Sequence, residues 1–290
     1  MKIRTALGLM GVIAGSLLGA TGVQAGMFSY VSDSEQATAV SARVYEGYAR
    51  DRASDGTYAP ETFVYGNGGE VASQPVAIST SFYLNGGSQF GSYIADPTID
   101  SLSFKDVAQR INGALEAENY VPARDPAKTK LMIMVYWGRS TGTVDFHGDG
   151  GFRDAMDAQN AMLMGFDSDP AIRAVFDPTV QFWGRSFRAN FLIQNDAKVM
   201  SALEVDRYYV ILRAYDFQTA WKQKKLKLVW ETRFSLAERT RDFGAELPYM
   251  ALSAARYFGQ ETGGLMLDPL PDGQVDVGEV RNEGSVPMRP

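Results

Sequence analysis

The segment Val135 to Gly151, VYWGRSTGTVDFHGDGG, joins a G-x-S-x-G pattern to the chain's one histidine, His147, and to two aspartates that flank it at alternate positions, Asp145 and Asp149. The G-x-S-x-G phrase, Gly138 to Gly142, is the pattern of a nucleophile elbow, in which a serine at a strand end turns directly into a helix whose N-terminus completes an oxyanion hole. The stretch after Gly142 has glycines and β-branched residues in place of helical spacing, and its one base lies in the same loop as Ser140. In the elbow fold, serine, acid and histidine arrive in that order from separate loops, so Ser140, Asp145 and His147 do not make a triad.

Asp145, His147 and Asp149 carry a different chemistry. In extended backbone, alternate side chains point to one side, so the three converge, and their oxygen and imidazole donors suit Zn²⁺ or Mn²⁺. As a calcium loop the phrase has its glycine, Gly150, at the sixth position, but His147 stands where an oxygen donor belongs and Met156 where a bidentate Glu belongs. The metal reading stands beside a plainer one, a Gly-rich solvated exit loop. A divalent ion at this loop is the one cofactor the sequence admits.

Other acids offer no acid/base pair. Glu116 and Glu118 sit at the polar end of a helix, and Asp167, Asp169 and Asp177 flank turns or caps. The glycine runs 66–69 and 86–91 lack the Lys-Ser/Thr ending of a phosphate loop and read as turns.

These residues need elements to hold them. The helix predicted with most force covers Leu102 to Glu118, with Phe104, Val107, Ile111 and Leu115 on one stripe and a capping box from Ser103 and Asp106. A helix is also expected over Ala37 to Arg50 from the four-residue spacing of Val40, Val44 and Tyr48. Strands are expected at 75–84, 130–137, 207–216 and 225–234, the second covered on both faces, the last half-exposed and hairpin-paired with its predecessor. Residues 138–205 form a mainly helical insertion, with helical segments at 154–164, from Asp169-Pro170, and at 189–203. A final helix spans Glu246 to Phe258, and the chain after Gly263 reads as a flexible acidic tail. The fold class is therefore α+β: an antiparallel or mixed sheet of about four strands packed against helices, with the long insertion between central strands.

Residues 1–25 have Lys2 and Arg4, an apolar run from Ala6 to Leu18 and small residues up to Ala25, the pattern of a cleaved secretory signal peptide. The run is shorter than the roughly 20 apolar residues of a membrane span, and no later segment approaches one, so the mature chain is expected to carry no transmembrane segment. Residues 26–262 then make a single domain and 263–290 the tail. The chain has no cysteine, which excludes disulfides, thiol catalysis and lipid attachment at a cysteine. Loss of Lys2 and Arg4 takes the net charge from −6 to −8, against nucleic-acid and anionic membrane partners. A periplasmic or secreted location follows.

The phrases Asn119-Tyr120, Asp125-Pro126, Asp216 and Val229-Trp230-Glu231, set between a helix, two strands and a closing helix, resemble an uncharacterised family of small bacterial envelope proteins. The likeness covers about residues 75–137 and 206–259. Family members are frequently lipoproteins, which this cysteine-free chain departs from, as it does in its large insertion. The resemblance implies an α/β envelope module without established enzymatic activity. The function expected is thus that of an exported envelope protein acting by binding or assembly, with an envelope protein or a glycan as partner and the 138–205 insertion as its distinguishing surface. In that insertion Met156, Met162 and Met164 supply either an adaptable partner surface or core packing. The alternative is a metal-binding protein or metal-dependent hydrolase built on Asp145, His147 and Asp149.

Overall fold

A computed structural model describes residues 37–52, 54–70, 96–142, 150–166, 197–238 and 241–269. In chain order the elements are β1 (Ala37–Val44), β2 (Glu61–Glu70), α1 (Pro97–Asp100), α2 (Phe104–Ala117), β3 (Tyr120–Pro122), a 3₁₀ turn (Pro126–Lys128), β4 (Leu131–Ser140), α3 (Gly150–Leu163), α4 (Ala197–Glu204), β5 (Arg207–Asp216), α5 (Phe217–Gln223), β6 (Leu228–Ala237), α6 (Phe243–Ala255) and β7 (Met266–Pro269). Among the described residues the strands form one mixed sheet in the order β3-β2-β4-β5-β6-β1-β7, with β2 parallel to β3 and β4 and the other neighbours antiparallel.

The α+β class holds, but the sheet has seven strands where about four were expected. Three expected strands correspond to β4, β5 and β6, and 75–84 lies outside the described residues. The other four were misread for separate reasons. Val40 and Val44 are four apart, a spacing that fits period two as well as a helical turn, and β1 uses the former, paired with β6 and β7. In β2 the glycines are strand residues: a Cβ on Gly68 would lie 2.5 Å from the Tyr136 ring, so glycine lets that ring lie flat on the sheet. The ladder slips between Asn67 and Gly69, where Gly69 has φ +93°, a bulge that glycine makes possible. β3 has three residues, too few for any period, and β7, expected as tail, hydrogen-bonds to Ala37–Val40.

One sheet face carries the main core. Ile133, Val135, Val210, Leu212, Trp230 and Phe234 pack there under α2 (Val107, Ile111, Leu115) and α6 (Leu247, Met250, Ala254). α2 begins with the expected capping box: the Ser103 hydroxyl accepts from Asp106 N and the Asp106 carboxylate accepts from Ser103 N. α6 starts earlier than expected because Asp242 caps it, accepting from Ala245 N at 2.9 Å. Pro248 therefore lies inside the helix, and the carbonyl that its missing N–H would have bonded, Gly244 O, accepts from Arg110 Nη1 at 2.6 Å.

The opposite face is covered at β1 and β6 by α3 and α4 through Ala158, Ala161, Met164, Met200 and Leu203. This cover makes β6 buried on both faces, not half-exposed as expected. β4 in contrast alternates between buried Leu131, Ile133 and Val135 and half-buried Met132, Met134 and Tyr136. The described part of the 138–205 segment is thus largely a packing layer, with Met164 buried and Met162 exposed. Residues 167–196 lie outside the described residues, as does the chain after Pro269.

Candidate functional site

A cleft of about 390 Å³ opens at one end of the sheet, where the exit of β1, the start of β2, the 3₁₀ turn before β4 and the β5–α5 junction meet. The volume falls within the roughly 300–1,000 Å³ of small-molecule sites. On one wall the Tyr48 hydroxyl donates to Glu61 Oε2 at 2.6 Å. Burial, with Tyr120 and Glu61 close by, pushes the Tyr48 phenol well above its ordinary range, so it remains a donor.

Behind that wall the Arg50 guanidinium is buried between two rings, 4.2 Å from the Tyr58 centroid and 4.1 Å from that of Tyr120. Its Nη2 donates to Glu118 O, while Nε and Nη1 stand 3.8 Å from the Glu61 and Glu118 carboxylates, beyond hydrogen-bond reach. Nε, Nη1 and the Tyr120 hydroxyl are buried without hydrogen-bond partners. Burial raises the Glu118 carboxyl, and the Arg50 charge works against that rise. Gly259, at φ +70°, sits where a Cβ would approach the Tyr120 hydroxyl to 2.7 Å, so the turn that follows α6 is pressed onto this stack.

The other wall follows from local rules. Asp125 opens the 3₁₀ turn by accepting from Ala127 N at 2.9 Å, and Asp216 caps α5 by accepting from Thr219 N at 2.6 Å. Gln218, in the first turn of α5, donates through Nε2 to Pro126 O and Thr129 O, both at 2.8 Å, and its Oε1 is buried without a partner. Lys128 and Lys130 are exposed at the rim, as is Asp51. The cleft therefore offers donors and acceptors together.

Two further polar clusters are structural. At the opposite end of the sheet Arg139 pairs with Asp206 at 2.9 Å and with Glu238, and Asp96 accepts from the Tyr208 hydroxyl at 2.6 Å. Beside them Arg207 is buried, donating twice to Ser235 at 3.0 Å, its pKa pulled down to about 10 by burial and then by Arg241. On the second face Glu231 accepts from Arg213 Nε at 2.5 Å and from Arg233 Nε at 2.6 Å.

Ser140, singled out in the sequence, falls elsewhere. Ser140 is the last residue of β4, buried and in register with Arg207, whose carbonyl lies 3.5 Å from its Oγ; it stands on no strand-to-helix elbow. Asp145, His147 and Asp149 lie outside the described residues. Among the described residues no group of three or more His, Asp or Glu side chains could hold a metal ion, and no helix is long and apolar enough to cross a membrane. The cleft residues were missed because they come from five separate segments. Asp125-Pro126, Asp216 and Val229 stand out in the sequence as phrases and Tyr48 as part of a helical spacing, none of them as a site.

No protein-family model matches the chain, and no curated protein matches it. Two solved structures are similar at low identity. A PDZ domain protein from Parabacteroides distasonis aligns at 12% identity and TM-score 0.36 over 81% of this chain, which spans only 40% of that protein's length. A DUF4136 family protein from Bacteroides thetaiotaomicron aligns at 13% identity and TM-score 0.31, over 75% of this chain and 95% of the other.

Proposed function

We propose that this is an exported component of the bacterial cell envelope, periplasmic or secreted, that acts by binding a small polar ligand in the cleft between Tyr48, Glu61, Lys128 and Gln218. The export reading rests on the residue 1–25 pattern and the acidic, cysteine-free composition. The binding reading rests on one observation: a cleft of ligand size whose rim carries two exposed lysines, Lys128 and Lys130, that have no ion-pair partner among the described residues. An ammonium group donates only, so such a rim favours a ligand rich in hydrogen-bond acceptors. Binding is preferred to chemistry because two of the cleft's three carboxylates are already committed as acceptors, Asp216 to the α5 cap and Glu61 to Tyr48, which leaves only the exposed Asp51.

A thermal-shift screen of the mature protein tests this, with saccharides, short peptides, organic acids and divalent cations as additives. Ala127 is an exposed residue of the cleft rim, and Ala127→Trp fills the mouth without touching the core. At least one organic class should raise the melting temperature of the parent and leave Ala127→Trp unmoved, since a ligand of the folded state must stabilise it. Equal shifts in both proteins, or none in either, overturn the cleft. A shift by a divalent cation alone, abolished by His147→Ala and kept in Ala127→Trp, moves the function to the Asp145, His147 and Asp149 loop.

A further inference from the structure

A net negative charge speaks against anionic partners only where the charge is evenly spread, and the lysines are not. Six of the chain's nine lysines stand at one end of the sheet: Lys222, Lys224, Lys225 and Lys227 from the last turn of α5 to the start of β6, and Lys128 and Lys130 just before β4. Hydrogen bonds hold these segments together. Phe217 N donates to Lys130 O at 2.8 Å, Asp216 N donates to Lys227 O at 2.9 Å, and Gln218 Nε2 donates to the carbonyls of Pro126 and Thr129. All six lysines are exposed, and among the described residues only Lys227 has an ion-pair partner, Glu46 at 3.0 Å. Of the nearby acids, Asp125 and Asp216 are occupied as caps. Six lysines against Glu46, Asp51, Asp125 and Asp216 leave this end positive within an acidic protein.

The same run carries large apolar side chains. Residues 221–227, WKQKKLK, are exposed at every position and include no acid, with Trp221 at 44% and Leu226 at 67% exposure. A soluble polyanion would pair the lysines and leave Leu226 in water, where its burial gains nothing. A bilayer with anionic headgroups takes both kinds of side chain. The ammonium groups reach the phosphates while their stems lie along apolar surface, the indole suits headgroup depth with its apolar ring and polar N–H, and Leu226 enters the edge of the acyl region. We infer that residues 221–227 form a membrane-contact element, which docks the protein peripherally on a bilayer surface that carries anionic phospholipid.

The experiment uses the chain without residues 1–25, whose apolar run would itself bind lipid, and vesicles of phosphatidylcholine alone or mixed with phosphatidylglycerol. Co-sedimentation gives the affinity, and quenching of tryptophan emission by brominated lipid reports the depth of the indole. Of the described tryptophans, Trp137 and Trp230 are buried, and Trp221→Phe isolates the part of the signal that belongs to Trp221. The mixed vesicles should bind the protein with quenching that Trp221→Phe removes, and phosphatidylcholine alone should bind at least roughly tenfold more weakly. Each lysine near an anionic surface strengthens binding roughly fivefold, so Lys222→Gln, Lys224→Gln and Lys225→Gln combined should weaken it about a hundredfold. Leu226→Ser should weaken it roughly tenfold at unchanged charge. All of these positions are exposed, and circular dichroism of each variant guards against a folding defect. Binding that the lysine variant loses but Leu226→Ser keeps, without quenching of Trp221, overturns the bilayer in favour of a soluble polyanion. A single-stranded oligonucleotide bound as tightly as the mixed vesicles does the same. No binding to the mixed vesicles, or binding that the lysine variant retains, overturns the inference outright.

Discussion

Arg110 and Pro248 behave as one unit although they sit on different helices. Proline removes the N–H that would bond Gly244 O, and Arg110 supplies the donor instead, at 2.6 Å. Removing the arginine leaves a carbonyl exposed to a poor environment, at a cost of about 1–3 kcal/mol for a charge-assisted bond. Arg110→Leu should therefore lower the urea midpoint of the parent, and its cost should shrink in a Pro248→Ala background, where the helix can make its own bond. A double-mutant cycle with no coupling would show that the arginine acts elsewhere. Asp96 gives the pH counterpart. Burial alone would raise its carboxyl, but hydrogen bonds from Tyr208 and from the hydroxyl and amide of Thr98 hold it below the usual range. A depressed carboxyl contributes stability that is present above its unfolded-state value, roughly pH 4, and is lost as the pH falls through the lower folded value. Tyr208→Phe should thus cost most at neutral pH, about 1–3 kcal/mol for a bond to a charged acceptor, and the gap should close in acid. A gap independent of pH would assign the loss to the hydroxyl's neutral partner, Arg241 O at 3.1 Å, and not to Asp96.

At the scale of elements, β7 tests how much of the chain's end is structural. Its four residues pair with Ala37–Val40, and the preceding Thr262 closes the same edge through Ala42, donating from N at 3.0 Å and accepting from Ala42 N at 3.0 Å. Truncation after Gly264 should therefore cost on the order of 2–4 kcal/mol, a few ladder bonds at about 1 kcal/mol each, measured by chemical denaturation. A flexible tail would come away with no change. The composition of the last residues, rich in Pro, Gly and acids, hides this strand because a four-residue edge needs no period to pair. Legibility elsewhere follows the same line. α2 was readable to within a residue or two because its apolar stripe spans three turns and its cap is local in sequence. β4 and β5 were readable from apolar runs that only a central strand needs. β2 was not, since its Gly66 and Gly68 make sense only with Met134 and Tyr136 lying over them from β4. The cleft was not legible for a related reason: Tyr48, Gln218 and Lys128 are unremarkable in their own segments and become a site only through register. The Asp145, His147 and Asp149 loop, compact enough to notice, lies outside the described residues.

For the whole molecule the two faces of the sheet hold their helices by different physics, and this predicts the order in which they separate. α2 and α6 bury large side chains, Ile111, Leu115, Phe243, Leu247 and Met250, against the apolar face. α3 and α4 bury fewer, with Met200 and Leu203 of α4 beside the small Ala158, Ala161 and Ala202, so the area-proportional gain is lower. They are tied down instead by arginines from the sheet: Arg233 donates to Met162 O and Arg43 to Gly165 O, carbonyls at the C-terminal end of α3 where the helix dipole is negative. Gly165 fits only as glycine, with φ +101° and a Cβ position that would overlap Ser41 on β1. A layer held by a few polar bonds opens locally at lower free energy than the sheet beneath it. Native-state hydrogen exchange should accordingly find α3 amides far less protected than those of β5, whose neighbours β4 and β6 bond it along its full length. Arg233→Met should widen that difference, raising α3 exchange at least tenfold while leaving β5 nearly unchanged, because Glu231 keeps Arg213 as its partner. Uniform acceleration across α3 and β5 would mean instead that the second layer and the sheet unfold together, and that the arginines stabilise the entire fold and not the docking of one face.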